Sequence, residues 1–131
     1  LVYATVPWPS NQQRVGEWLA GSSVDGDTAV VAYGNASVLE TAGLQSPYPY
    51  LWSLPMRTLD PAQLRLRTTL AGPQAPAWVV EMTGFNAWGI DDNYRLREII
   101  DARYRMVETV CGNEMWLRAD LSRQLAPLPR C

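Results

Sequence analysis

Asp60-Pro-Ala-Gln-Leu-Arg-Leu-Arg-Thr-Thr-Leu-Ala-Gly-Pro-Gln-Ala-Pro-Ala-Trp-Val-Val-Glu-Met82 decides the fold. Its first half reads as a helix over Pro61–Ala71. Asp60 stands at the N-cap, Pro61 at the first helical position and Gln63 in the capping-box place. Leu64, Leu66 and Leu70 give that helix its apolar contacts, and Gly72-Pro73 stops it. The second half, Ala77–Met82, reads as a strand. Trp78-Val-Val80 is apolar without alternation, as central parallel strands buried on both faces are.

The same alternation extends in both directions. Further β-type runs are Thr28–Tyr33, Tyr50–Leu54 and Tyr104–Val110, with Glu114–Arg118 last; helical patterns cover Ala36–Ala42 and Asn93–Arg103. Strand–helix–strand order predicts an α/β fold of three layers, with a mainly parallel sheet and crossover helices. Gly112-Asn113 reads as a two-residue hairpin turn, so the last strand is expected as an antiparallel C-terminal edge strand. Val30, Val31, Trp78, Val79, Val80, Leu96, Ile99 and Ile100 are the expected core.

Before the first strand, Val2–Val6 is β-like and Val6-Pro-Trp-Pro9 is extended. Ser10 then caps a helix, with Gln13 in the capping-box place, Val15, Trp18 and Leu19 on one face, and Gly21 as the stop. Asn35 is placed to cap the next helix and Gly43 to end it. Ser46-Pro-Tyr-Pro-Tyr50 reads as a surface loop, and the tail Leu121–Cys131 as packed over the domain or loose.

A chain of 131 residues makes one domain, residues 1–131, with enough length for a sizeable core. The net charge is −2 and no charge block occurs, which argues against a nucleic-acid partner. All 11 basic residues are Arg, and His is absent, which excludes Ser-His-Asp and Cys-His catalysis and every His metal site. No window approaches the roughly 18 apolar residues of a membrane helix. The start at Leu1 without Met, running straight into a β-like stretch, is read as a fragment of a longer protein. Cys111 and Cys131 are either a bridge pinning the tail, as an oxidising compartment permits, or two free thiols.

Candidate chemistry is sparse. Asp25-Gly-Asp27 has the D-x-D spacing that lets two carboxylates share a hard cation. It precedes the first strand, though, whereas ligands of open α/β sheets gather beyond strand C-terminal ends, so it is read as a solvated turn. Gly34-Asn35 follows a strand and opens a helix but lacks a phosphate-binding fingerprint. The loop Thr83–Asp92 is the best ligand-site candidate, because it offers aromatic faces beside amide and carboxylate groups, the usual means of holding a sugar ring. Tyr48, Arg57, Asn86, Trp88 and Asp91 are the expected ligand-binding residues. The competing reading makes Phe85 and Trp88 a buried loop anchor and Asp92 a helix cap. No catalytic residue, metal site or cofactor is expected.

Taken in order, these pieces resemble a known domain. They are the Trp18-bearing helix, Val24-Asp-Gly-Asp-Thr-Ala-Val-Val-Ala-Tyr-Gly34, Pro49-Tyr-Leu-Trp52 with Arg57, Pro76-Ala-Trp-Val-Val-Glu81, Tyr104-Arg-Met-Val-Glu108 and Met115-Trp-Leu-Arg118. The chain is similar, over Ser10–Arg118, to the C-terminal extracytoplasmic domain of polytopic GT-C class glycosyltransferases, relatives of the protein mannosyltransferases and of actinobacterial cell-envelope transferases. The resemblance implies a parent embedded in the cell membrane that uses a polyprenyl-phosphate-linked sugar donor. Its catalytic carboxylate would lie outside this chain. The domain itself would face the extracytoplasmic side, supporting acceptor recognition or assembly, with a glycan or lipid-linked sugar and the membrane-embedded remainder as partners. Cys131 has no counterpart in that pattern. Two other classes stay open: a free-standing small-ligand-binding or regulatory α/β domain, and an independent hydrolase or transferase.

Overall fold

A computed structural model describes residues 10–34 and 36–131. The expectations for Val2–Val6, Pro7–Pro9 and the Asn35 cap lie outside the described residues. Four strands form one mixed sheet: β1 (Ala29–Ala32), β2 (Trp78–Glu81), β3 (Tyr104–Val110) and β4 (Asn113–Arg118), in the order β1-β2-β4-β3. Among the described residues five α-helices accompany them: α1 (Asn11–Ser22), α2 (Ser37–Ala42), α3 (Ser53–Leu59), α4 (Leu64–Ala71) and α5 (Arg95–Arg103). The α/β class is as the alternation predicts.

The sheet itself corrects the sequence reading. Only β1 and β2 run parallel; β2–β4 and β4–β3 are antiparallel, so the sheet is not mainly parallel. Nor is the last strand at the edge. Met115, Trp116 and Leu117 are apolar in succession and all buried, so β4 needs cover on both faces and takes the position between β2 and β3. The strand left outside is β3, which exposes Arg105, Met106 and Thr109 and carries an irregularity between Met106 and Glu108, as an edge tolerates. The hairpin turn is Cys111-Gly112 rather than Gly112-Asn113. Both residues have positive φ, +50° and +81°, as a turn matching the strand twist requires.

The β run proposed at Tyr50–Leu54 is not a strand. Trp52 is extended and Ser53 starts α3, with Pro55 in the first turn, where a missing N–H costs nothing. With no strand there, β1 and β2 pair directly, Val30 opposite Val79 and Val31 opposite Val80. Two helices also start later than expected. Ala62 and Gln63 sit at positive φ before α4, and Tyr94 does so before α5.

Alternate residues of the strands enter two separate apolar clusters, because side chains along a strand point to opposite faces. Val31, Trp78, Val80, Met115 and Leu117 pack with Val15, Trp18 and Leu19 of α1 and Val38 of α2. Val30, Val79 and Trp116 pack with Met56 of α3, Leu66 and Leu70 of α4, and Leu96 and Ile100 of α5. Of the expected core, only Ile99 is half-buried. Helices α1 and α2 meet closely at Gly16, where an added Cβ would stand 2.6 Å from Thr41 Cβ. At the start of α1, Gln13 N donates to Ser10 Oγ at 3.1 Å, the expected cap.

The tail is packed, not loose. Arg105 donates to the carbonyls of Ala119 and Leu121, and Arg123 clamps both carboxylate oxygens of Asp27 at 2.6 and 2.9 Å. Trp18 Nε1 donates to Ala126 O at 3.0 Å, and Ala126 N donates to Ser22 Oγ at 2.8 Å. Cys131 then closes a disulfide with Cys111, Cα atoms 5.5 Å apart. Among the described residues no helix is long and apolar enough to cross a membrane.

Candidate functional site at the C-terminal ends of the parallel strands

Beyond β1 and β2 the chain departs at Tyr33-Gly34 and at Met82, and the segments carrying the expected ligand residues converge there. Gly34 leaves no room for a side chain: an added Cβ would lie 2.6 Å from Met82 Cγ. Its carbonyl accepts the N–H of Ser53, which ties α3 to the end of β1. Five non-glycine residues of these segments, Tyr33, Ala62, Gln63, Trp88 and Tyr94, adopt left-handed backbone, each at a cost of about 1–2 kcal/mol that the surroundings must offset.

Buried polar groups supply that compensation. Asp60 accepts the backbone N–H of Arg65 at 2.8 Å and of Leu66 at 3.0 Å, and its Oδ2 also takes the Tyr48 hydroxyl at 2.6 Å. Asp91 repeats the arrangement on α5, accepting the N–H of Leu96 at 2.9 Å and of Arg97 at 3.1 Å. Each carboxylate meets free N–H groups of a helix's first turn, where the helix dipole favours negative charge. Between the two turns, Gln63 Nε2 donates to the Tyr33 hydroxyl and to Phe85 O. Burial, more than any neighbour, pushes the Tyr33 hydroxyl up to about 12 and Tyr48 higher still, so both stay protonated.

The five expected ligand residues therefore divide. Tyr48 and Asp91 are buried and engaged in these structural bonds, so they do not face solvent. Asn86 ties the loop to itself, accepting Asp91 N at 2.7 Å and donating to Asp92 at 3.1 Å. Arg57 and Trp88 are brought together: the guanidinium lies 4.2 Å from the ring centroid, and Trp88 meets Tyr33 edge-on at 5.6 Å. Trp88 nonetheless stays 51 % exposed, whereas Phe85 is the buried anchor of the loop. Beside them a hollow of about 310 Å³ lies between the two helix starts, lined by Ala62, Arg67, Gly89–Asp92, Asn93 and Arg95.

Sequence reasoning missed one pair altogether. Glu81, the last residue of β2, and Glu114, the second of β4, lie directly opposite each other, on the face of Val79 and Trp116. Burial raises the Glu81 carboxyl, a hydrogen bond with Glu114 raises it further, and the Phe85 N–H and Arg97 oppose this. The balance stands at about 7. Arg97 lies over the rings of Trp116 and Phe85, at 5.2 and 5.7 Å from their centroids. The Glu81 carboxyl therefore keeps its proton up to near neutrality beside Glu114. Only the β2–β4 register brings the pair together, since the residues are far apart in sequence.

The D-x-D turn holds no cation site. The Asp27 side chain is 6 % exposed, and both its oxygens are taken by Arg123. Burial raises that carboxyl, but the Arg123 hydrogen bonds, the Val24 backbone N–H and the Arg123 charge together outweigh it, and its pKa is lowered. Among the described residues no group of three or more His, Cys, Asp or Glu side chains could hold a metal ion. No family model, curated protein or solved structure matches the chain.

Proposed function

We propose that this chain is a non-catalytic extracytoplasmic domain of a membrane glycosyltransferase, whose polyprenyl-phosphate-linked sugar donor is handled elsewhere in the parent. Its role is acceptor recognition or assembly in cell-envelope glycan synthesis. The observation that carries this reading is Trp88, held from one side by Arg57 and from another by Tyr33 while half its surface meets solvent. A ring fixed in place can cover the C–H face of a sugar without losing rotamer entropy on binding, and the Arg57 guanidinium lies alongside for hydroxyls. The Cys111–Cys131 bridge supports an oxidising, extracytoplasmic location. In the same reading the helices cover both faces of the sheet, a three-layer arrangement in which the β1–β2 connection is a crossover. The partners are the membrane-embedded remainder and a glycan or lipid-linked sugar.

Titration of ¹⁵N-labelled protein with short cell-wall glycans tests this. Millimolar glycan should move the Trp88 indole and the amides of Arg57 and Asn86, the weak binding expected of one stacking platform worth about 1–3 kcal/mol. Shifts confined to Asp25-Gly26-Asp27, or none at millimolar glycan, would overturn the site. A second reading, a free-standing small-ligand-binding domain, draws on an apolar groove of about 570 Å³ lined by Leu39, Leu44, Tyr48, Pro49 and Leu51. A co-purifying apolar ligand displaced by Leu39→Asp would favour it.

A further inference from the structure

Among the described residues, the end of the molecule that carries Trp88 also carries most of the exposed apolar bulk. Trp52 and Leu54 at the start of α3 are 52 % and 51 % exposed, Trp88 is 51 % and Tyr94 is 62 %. These belong to one surface. Ser53 is bonded to Gly34 at the end of β1, Arg57 of α3 stacks on Trp88, and Ala62 shares the hollow between the helix starts with Gly89 and Arg95. Burial in the domain does not require these rings, since the core beneath them is already closed by Met56, Leu66 and Phe85.

Charge on this end runs against the rest of the chain. The protein as a whole is acidic, at −2. Yet residues 51–67 and 86–95 contain Arg57, Arg65, Arg67 and Arg95 against three acids, of which Asp60 and Asp91 are buried on helix N–H groups. Only Asp92 among those acids is exposed. Exposed Trp and Tyr beside Arg suit the headgroup layer of a bilayer, where an amphipathic ring buries its body and a guanidinium meets lipid phosphate.

We propose that this end docks onto the anionic headgroup surface of a membrane, with Trp52, Leu54 and Trp88 entering the interface and Arg57, Arg67 and Arg95 meeting phosphates. The inference deepens the preceding reading and rests on it for the presence of a bilayer at this side of the molecule. It orients the domain: the C-terminal ends of β1 and β2 face the lipid, and the tail-clasped end with Asp27 and Arg123 faces away.

Co-sedimentation of the whole chain with phosphatidylglycerol-rich vesicles, against pure phosphatidylcholine vesicles, tests it. Binding should be confined to the anionic vesicles and weaken with salt, and each of Arg67→Gln and Arg95→Gln should weaken it about fivefold. The double variant Trp52→Ser/Trp88→Ser should lose about tenfold or more. An unchanged urea midpoint in each variant separates lost docking from lost folding. Equal binding to neutral vesicles, no binding to either, or undiminished binding by the double variant would overturn the proposal. So would concentration-dependent self-association of the vesicle-free protein abolished by Trp52→Ser, because the face would then be covered by a second copy. Glycan titration without vesicles reads the sugar site alone, so the two ideas fail separately.

Discussion

Asp60 and Asp91 occupy equivalent places ahead of two neighbouring helices: each carboxylate accepts the backbone N–H groups five and six residues on, Arg65 and Leu66 in one case, Leu96 and Arg97 in the other. The intervening residues turn through left-handed backbone in both, at Ala62 and Gln63 and at Tyr94. A carboxylate at that distance fixes a whole turn, not one bond.

Replacing either with Ala should therefore cost more than an ordinary cap. Asp91→Ala leaves two N–H groups without their charged acceptor and should lower stability by about 2–4 kcal/mol, two charge-assisted bonds at about 1.5–3 each less what water recovers. Asp60→Ala should cost at least as much, since the buried Tyr48 hydroxyl also loses its partner. Urea denaturation of the two variants and of Tyr48→Phe measures it. A loss below about 1 kcal/mol for both aspartates would show the turns to be held by packing instead.

Stability should fall as pH rises through the range over which Glu81 loses its proton. The folded-state pKa of Glu81, about 7, lies above its ordinary value of 4.5, so the folded state holds a proton that the unfolded chain has already released. The contribution is fully present below 4.5 and is lost as pH rises to about 7. Glu114→Gln should bring the Glu81 pKa down and flatten the melting temperature across that window; Arg97→Gln should push it up and steepen the fall. A melting temperature indifferent to pH from 4.5 to 7 in the unsubstituted protein would contradict the raised Glu81 carboxyl.

Removing the disulfide should cost stability through the unfolded state. The bridge closes a loop across a separation of 20 residues, for which chain entropy gives about 3 kcal/mol. Cys111→Ser/Cys131→Ser should show that loss in guanidinium titrations yet keep the tail in place. The Asp27–Arg123 clamp and the Trp18–Ala126 bond are independent of it, so the Trp18 indole should stay protected from hydrogen exchange. Fast exchange there in the variant would show the bridge alone to hold the tail.

What the sequence displayed was local. The Ser10 cap, the two apolar runs Thr28–Tyr33 and Ala77–Met82 and the inward face of α5 each have a short-range signature, and they lie where that signature puts them. The errors concern pairing. Nothing in Glu114–Arg118 read as an edge strand reveals its partner, and only the succession Met115-Trp116-Leu117 hinted that both faces would be covered. Tyr50–Leu54 has strand-like composition, but Pro55 sits where a helix start accepts it and a central strand does not. At the site, Trp88 and Arg57 were legible as residue types and their stacking was not. The Glu81–Glu114 pair was invisible for the same reason as the sheet order, being a product of register.

The disulfide has a mechanical consequence. Chain from Cys111 through β4 and the tail returns to Cys111, so β4 belongs to a covalent ring. Tension applied at Cys131 passes through sulfur directly to the β3–β4 turn and leaves the tail and β4 slack. The strand flanked by β2 and β3 cannot be peeled from the sheet by pulling on that end unless the bridge is first reduced. The load falls instead on β3, the one strand paired along a single side within that hairpin, which makes reduction the step that decides whether the sheet yields from its edge or from its middle.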